Sequence, residues 1–308
     1  MHESGAVARE GVAPTRPRSQ SWKIFRSHRY GMVGLVMLAI FGIMAVSHPV
    51  LMSTVWDRAR YDPIVGFDSV YFPHPSGPSI THPFGTDNYG RDVLSQLLYG
   101  ARVSFGVGIV AGIVAAVIST LSGGLAGYFR GWIDHLLMGV ADVMVLLPAP
   151  VVLLIFGLLV RMEWLVMGVL YGILAGAGAL AIIVKSHTLT LREKPFVEAA
   201  QSVGGGDRHI FRTHLLPGIL PLTAVNFFFT VVGAILTESL LSFFNRTQVD
   251  LSWGTMIWIG QETFRAFTLE GQWHAILAPA LAIMLLCSAF YLIGRALDDV
   301  LNPRLRRR

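Results

Sequence analysis

The residues with the most pointed chemistry lie in one stretch. It runs Pro195-Phe196-Val197-Glu198-Ala199-Ala200-Gln201-Ser202-Val203-Gly204, then nine residues, then His214-Leu215-Leu216-Pro217. Pro195 suits a first helical turn. Phe196, Val197, Ala200 and Val203 make an apolar stripe at helical spacing, and Gly204 to Gly206 stop the helix. A second short amphipathic piece sets Ile210 and Phe211 beside Arg208, His209 and Arg212, and Pro217 opens the next apolar run. The pattern predicts a helix-turn-helix at a membrane surface, and two roles fit it equally on physics alone. One is an interfacial anchor whose apolar face dips into headgroups; the other is a docking face for another protein.

Bond-making chemistry finds little support. His187 and His214 do not form an HExxH pair, and no Ser/His pattern recurs at a suitable depth, which leaves an intramembrane enzyme without its residues. The lysines are Lys23, Lys185 and Lys194, and none follows a glycine. A phosphate-cradling loop of the form Gly-x4-Gly-Lys is therefore absent, and the chain cannot bind or hydrolyse ATP in that way. Asp87-Asn88-Tyr89-Gly90-Arg91-Asp92 lacks the alternating oxygens and terminal Glu of a calcium loop. Asp87 and Asp92 are instead expected to cap turns and pair with Arg91 or Arg102. The one cysteine, Cys287, lies in an apolar run, so neither an internal disulfide nor a Cys-based metal site is available. No metal or cofactor is expected on this chain.

The elements that position these residues are membrane spans. With 53% apolar and 14% charged residues, the chain is far poorer in charge than the ~25% of soluble domains. Six runs approach or exceed the ~20 apolar residues needed to cross a hydrocarbon core: about 31–52, 103–127, 136–160, 164–184, 219–244 and 275–294. Segments of that length satisfy their backbone in lipid only as helices, so the fold class is all-α and polytopic. Placing the N-terminus in the cytoplasm leaves 17 of the 24 Lys and Arg residues on the inner side. That asymmetry is the one expected if positive loops stay inside, and it puts both termini in the cytoplasm. A basic stretch, an apolar run and the pair Ala45-x-Ser47 loosely imitate a secretory leader, but the charge balance holds only if the first helix is retained. Residues 1–21, rich in Pro, Ser, Gly and Arg, read as a disordered cytoplasmic tail, and 22–308 as one transmembrane domain. Two loops exceed simple connectors, the outside loop 53–102 and the inside loop 185–217.

Two carboxylates fall inside predicted spans. Asp142 and Glu238 each sit six residues from a span end, roughly 9 Å deep at 1.5 Å per residue. A centred charge costs about 2.5–3.5 kcal/mol, so each is a candidate for the substrate path or for structural pairing with nearby groups. Pro148 and Pro150 should kink the third span. Gly168, Gly172 and Gly176 repeat at four-residue spacing, a close-packing face for another helix.

Glu-Ala-Ala, three residues, Gly, nine residues and His-Leu-Leu-Pro resembles the EAA loop of ABC-type importer permeases. The resemblance implies that Glu198, Ala199, Ala200 and Gly204, with His214, Leu216 and Pro217, form a coupling helix seated in a groove of a cytoplasmic ATPase. His82-Pro83-Phe84-Gly85-Thr86-Asp87, Gly90-Arg91-Asp92-Val93-Leu94-Ser95 and Tyr99-Gly100-Ala101-Arg102 resemble the oligopeptide, dipeptide and nickel permeases. Gly127-Tyr128-Phe129-x-Gly131-Trp132-x-Asp134, Leu241-Ser242-Phe243, Trp253-Gly254-x-Met256 and Asp298-Asp299-Val300-Leu301-Asn302-Pro303-Arg304-Leu305 are similar to the C-type subunit of that group. The sequence departs from the pattern at Gly218, where Asn is usual, at Gln96, where Arg is common, and across Phe244 to Ser252. The family implies a six-helix type I importer permease in the cell (inner) membrane. Its implied partners are a B-type permease, two ATPase subunits that bind ATP and Mg, and an extracytoplasmic substrate-binding protein. Peptides are the implied cargo, with nickel chelates, sugar or haem as alternatives on the same architecture. An ion-coupled secondary transporter is the rival class, and it would show midplane carboxylates or paired broken helices.

Overall fold

The computed structural model describes residues 18–71, 74–160, 162–244, 251–263 and 273–301. Residues 1–17, most of the expected tail, lie outside these, as do Arg161, Arg246, Arg265 and the 302–308 end that entered the charge count. The first described element is α1 (Arg18–Ser27), which begins inside the segment read as tail. Then come α2 (Arg29–Thr54), the short α3 (Arg58–Tyr61), α4 (Val93–Phe129), α5 (Gly131–Leu146), α6 (Ala149–Leu159), α7 (Trp164–Ala177) and α8 (Ala179–Arg192). They are followed by α9 (Pro195–Ser202), α10 (Asp207–Ile210), α11 (Leu216–Phe243), α12 (Trp253–Thr263) and α13 (Trp273–Leu301).

Four of these stretches are long and apolar enough to cross a membrane singly: α2, α4, the run from α10 into α11, and α13. The third and fourth expected spans differ from the sequence reading, because neither 136–160 nor 164–184 is one continuous helix. The pair α5 and α6 is bent by 83°, and the pair α7 and α8 by 42°. Proline explains the first break. Pro148 is the N-cap residue of α6 and Pro150 follows within its first turn, so two of three successive backbone donors are missing. The second break falls at Gly178 (φ −92°, ψ −122°), where the chain leaves helical geometry. Residues 185–192, read as loop, complete α8.

The longest element organises the rest. Asp92 caps α4 by accepting from the Ser95 N–H at 2.6 Å, and 37 residues carry the helix about 55 Å. Residues 93–102 of the expected outside loop are thus the first part of this helix. Small residues let neighbours approach it. A Cβ at Gly172 would lie 2.7 Å from the Val114 Cβ, and one at Gly176 2.8 Å from the Ala115 backbone. The glycine repeat on α7 is therefore the close-packing face its spacing predicted. Gly123 and Gly127 do the same for α8, where added Cβ atoms would meet the Ala181 carbonyl and Thr188. On the other side α2 closes on α13 through Gly31 and Gly34, and Phe25 of α1 is buried there with Ala296 and Val300.

One helix went unread in the sequence. Trp253 of α12 is fully buried, donates from Nε1 to the Leu97 carbonyl at 2.9 Å, and fits only because residue 100 is glycine. It joins Phe41, Val231, Ile235, Leu286 and Phe290 in the largest apolar core.

The 55–92 segment is ordered by a buried polar knot that the sequence misassigned. Asp87 does pair with Arg91, at 2.6 Å, but Asp92 pairs with His82 rather than with Arg102. His82 is completely buried between two carboxylates, with Nδ1 2.7 Å from Asp92 Oδ2 and Nε2 3.1 Å from Asp68 Oδ2. Arg60 Nε closes on Asp68 at 2.9 Å. Burial pushes the Asp92 carboxyl above the usual range against the pull of the Ser95 N–H and His82. Burial pushes Asp68 the same way, yet there the Val70 N–H, His82 and Arg60 prevail and hold it below that range.

Two outcomes test this packing. Gly172→Leu should wedge α7 off α4 and cost about 1–3 kcal/mol, seen as a lower melting temperature in detergent; an unchanged melt would contradict the close approach. His82→Leu should cost about 3–5 kcal/mol by leaving the buried Asp92 without its side-chain partner and Asp68 without one of three. Limited proteolysis between residues 55 and 92 would show it, and full protease resistance of that variant would contradict the knot.

Candidate functional site: the α9 elbow

Helix α9 is eight residues long, too short to hold itself in water, so its position comes from packing. Val197 is fully buried and sits with Ile210, Leu215, Ile219, Val184 and Tyr128 in a compact cluster against which Leu191, Ala200 and Phe211 pack. Four elements thus converge under α9: the end of α4, α8, α10 and the start of α11. Two polar contacts fix the angle. Tyr128 Oη donates to Asp207 Oδ1 at 2.6 Å, and the Arg192 guanidinium lies 5.8 Å from the Tyr128 ring centre. Tyr128 belongs to the Gly127-Tyr128-Phe129 motif, to which sequence reading gave no role; here it ties the central helix to the elbow.

The turn after α9 needs a left-handed residue, and Gly204 supplies it at φ +81°. Gly204 N–H donates to Gln201 O at 3.0 Å and Gly205 N–H to Ala200 O at 2.9 Å, closing the helix end. No atom lies within 4 Å of where a Gly204 Cβ would stand, so conformation and not space demands glycine.

The rest of α9 is open. Glu198, Ala199, Gln201 and Ser202 are exposed, while Ala200 is half-buried. The expected apolar stripe divides: Val197 faces inward, but Phe196 is 45% and Val203 85% exposed. Two large apolar side chains flanking a carboxylate on an uncovered helix give this face the look of an interface lacking its other half.

The far side of the elbow is rigidly continuous with a span. From Asp207 to Phe243 the backbone stays helical through a π-turn at Phe211–Leu215 and on into α11. Pro217 and Pro221, both without an N–H, lie just beyond that turn and account for the altered ladder. His214 is half-buried with its ring 6.0 Å from that of Phe196. Leu216 is half-buried and Pro217 exposed; the residue that anchors the cluster is Leu215. From α8, His187 Nε2 donates to the Gly218 carbonyl at 3.1 Å. Gly218 departs from the usual Asn where Leu191 fills the space, 2.8 Å from an added Cβ. Lys185 pairs with Asp134 of α5 at 2.5 Å, bracing the neighbouring turn.

The two carboxylates within spans lie away from this elbow. Glu238 is fully buried in α11, accepting from Ser242 Oγ at 2.7 Å, with Ser239 Oγ 3.5 Å away. Asp142 lies exposed on α5. Residues 245–250, part of the divergent stretch after α11, fall outside the described residues. Among the described residues no cluster of three His, Cys, Asp or Glu side chains could hold a metal ion.

Comparison with known proteins bears on this geometry directly. Residues 108–307 match the family model described as the inner membrane component of binding-protein-dependent transport systems. Residues 16–63 match the N-terminal transmembrane domain of oligopeptide transport permease C. Among curated proteins the chain is similar to the glutathione transport system permease protein GsiD of Escherichia coli O6:K15:H31 and to that of Shigella boydii serotype 4. Each is 32% identical over 293 residues, covering 94% of this chain and 91% of the relative. A family match across most of the chain, the similarity to these relatives and the helical architecture agree: the chain belongs to the binding-protein-dependent transport system inner membrane components, the multi-pass permease subunits of ABC-type importers.

Proposed function

We propose that this permease imports small peptides and that its α9 elbow, on the cytoplasmic side, transmits nucleotide-driven closure of separate ATPase subunits to the spanning helices. One observation carries the coupling part. The outer face of α9, with Glu198, Ala199 and Val203, is uncovered, while its inner face is locked through Val197 to the ends of α4, α8 and α11. A load on such a surface moves three long helices together. The energy must come from outside the chain, because shifting a two-state equilibrium from 1:99 to 99:1 takes about 5.5 kcal/mol of differential binding. The chain's three lysines supply no phosphate loop. Hence it acts as a non-catalytic subunit, with ATP and Mg held by two ATPase partners.

Peptide cargo is supported by the relatives' names, a glutathione transport permease and an oligopeptide transport permease C domain. The working assembly adds a second, B-type permease and an extracytoplasmic binding protein, with both termini of this chain cytoplasmic. The broken spans are a feature that ion-coupled carriers also use. Membership in the binding-protein-dependent family favours nucleotide energy over an ion gradient.

The test is direct. Glu198→Arg and Gly204→Asp should each remove at least ~2 kcal/mol of docking energy, about thirtyfold in affinity for the ATPases. Peptide uptake should collapse while membrane insertion is normal. Wild-type uptake by both variants would overturn the coupling role.

A further inference from the structure

The two broken spans meet each other. A Cβ on Gly178, at the α7–α8 break, would lie 3.4 Å from the Met144 Cβ in the last turn of α5, just before the α5–α6 break. Beside this junction is a cavity of about 340 Å³, lined by Met144, Tyr171, Ala175, Asn226 and Thr230 among others. Both breaks fall near the middle of their helix pairs. Non-helical backbone at that depth is tolerated in lipid only if it is buried in protein or lines a hydrated cavity.

The polar groups around this space are unbalanced. The last carbonyls of α5 and α7 have no partners further along their helices. Leu147 N–H takes only Met144 O, and Gly178 N–H only Leu174 O. The donors of the following helices are largely spent: Val151 and Val152 N–H bond to Pro148 O, and Ala181 and Ile182 N–H to Gly178 O. Pro148 and Pro150 contribute none. The carbonyls ending α5 and α7 are thus open acceptors at the breaks, beside the first turns of α6 and α8. Asn226 Nδ2 is buried without a hydrogen-bond partner among the described residues. Its neighbour Thr230 already donates to the Asn226 carbonyl at 2.8 Å.

We propose that the cavity at the meeting of the two broken spans binds the backbone of a peptide in transit. The carbonyls ending α5 and α7 receive its N–H groups and terminal ammonium, and Asn226 Nδ2 donates to one of its carbonyls. This rests on the peptide reading above and moves the substrate contacts from Asp142 and Glu238 to the helix breaks. Neither carboxylate lines the cavity. The walls of Met144, Val145, Leu174 and Phe229 are apolar and make no hydrogen bond through their side chains, so side-chain identity of the cargo is read weakly here and its backbone strongly.

The assembled transporter, reconstituted with its ATPases and binding protein, tests this. In a Cys287→Ser background, Ala175→Cys should react with a water-soluble thiol reagent during turnover, and saturating transported dipeptide should slow that reaction at least about tenfold. Asn226→Leu should lower peptide uptake about tenfold, the worth of one buried hydrogen bond, with membrane insertion normal, and Asn226→Gln should restore part of it. A thiol at 175 that never reacts, or that reacts equally with and without peptide, overturns the proposal, as does wild-type uptake by Asn226→Leu. Glu198→Arg keeps the two readings apart. Normal uptake by that variant sinks the coupling role whatever position 175 reports, and a null result at 175 with no uptake in Glu198→Arg sinks only the cavity.

Discussion

An eight-residue helix cannot persist on its own, and everything proposed for this permease depends on what holds α9 in place. Val197, Ile210, Leu215 and Ile219 are all removed completely from solvent. At about 25 cal/mol per Å² of apolar area, each such side chain contributes roughly 1.5–3 kcal/mol. The cluster draws together chain segments far apart in sequence, from Tyr128 to Ile219. The Tyr128–Asp207 hydrogen bond then sets the orientation that burial alone would leave loose. A surface element held so firmly cannot move without moving α4 and α11, which is the property a transmission lever needs.

The mechanical path from that lever is short. Asp207 through Phe243 forms one helical run, which joins the elbow to Asn226 and to the Glu238 cradle near its far end. In parallel, α8 leads from the elbow to Gly178, where the fourth span is bent by 42°. The two routes converge on the junction of the broken helices. Bent pairs accommodate such motion more readily than straight ones, because their backbone ladder is already interrupted. Glycine contacts hold α7 and α8 close against α4 on either side of the Gly178 bend.

Much of this was legible in the sequence, and for identifiable reasons. Apolar runs located the spans because lipid leaves a chain few alternatives to helix. The Gly168, Gly172 and Gly176 repeat gave a packing face because close approach excludes any Cβ. Gly204 was legible as a helix stop, and its positive φ is the physical reason. The errors share a cause as well. Periodicity reports that a residue lies on an apolar face but not which partner covers it, so Phe196 and Val203 were grouped with Val197 although only the last is covered. Charge pairing in the 55–92 segment depended on a fold-back that no local spacing encodes, and His82 displaced the expected Arg102. Prolines announced a disturbance at Pro148 and Pro150 without revealing that it was a break of 83°. Helix α12 escaped because its role hangs on one long-range contact, Trp253 against Leu97 and Gly100.

The central claim is that the exposed face of α9 meets an ATPase on the cytoplasmic side. Thiol crosslinking from a single cysteine at position 199, in a Cys287→Ser chain within the intact transporter in inside-out vesicles, tests it most directly. The account predicts a crosslink to an ATPase subunit whose yield changes when ATP is bound. Absence of any ATPase adduct, together with labelling of that cysteine only from the opposite face of the membrane, would contradict it.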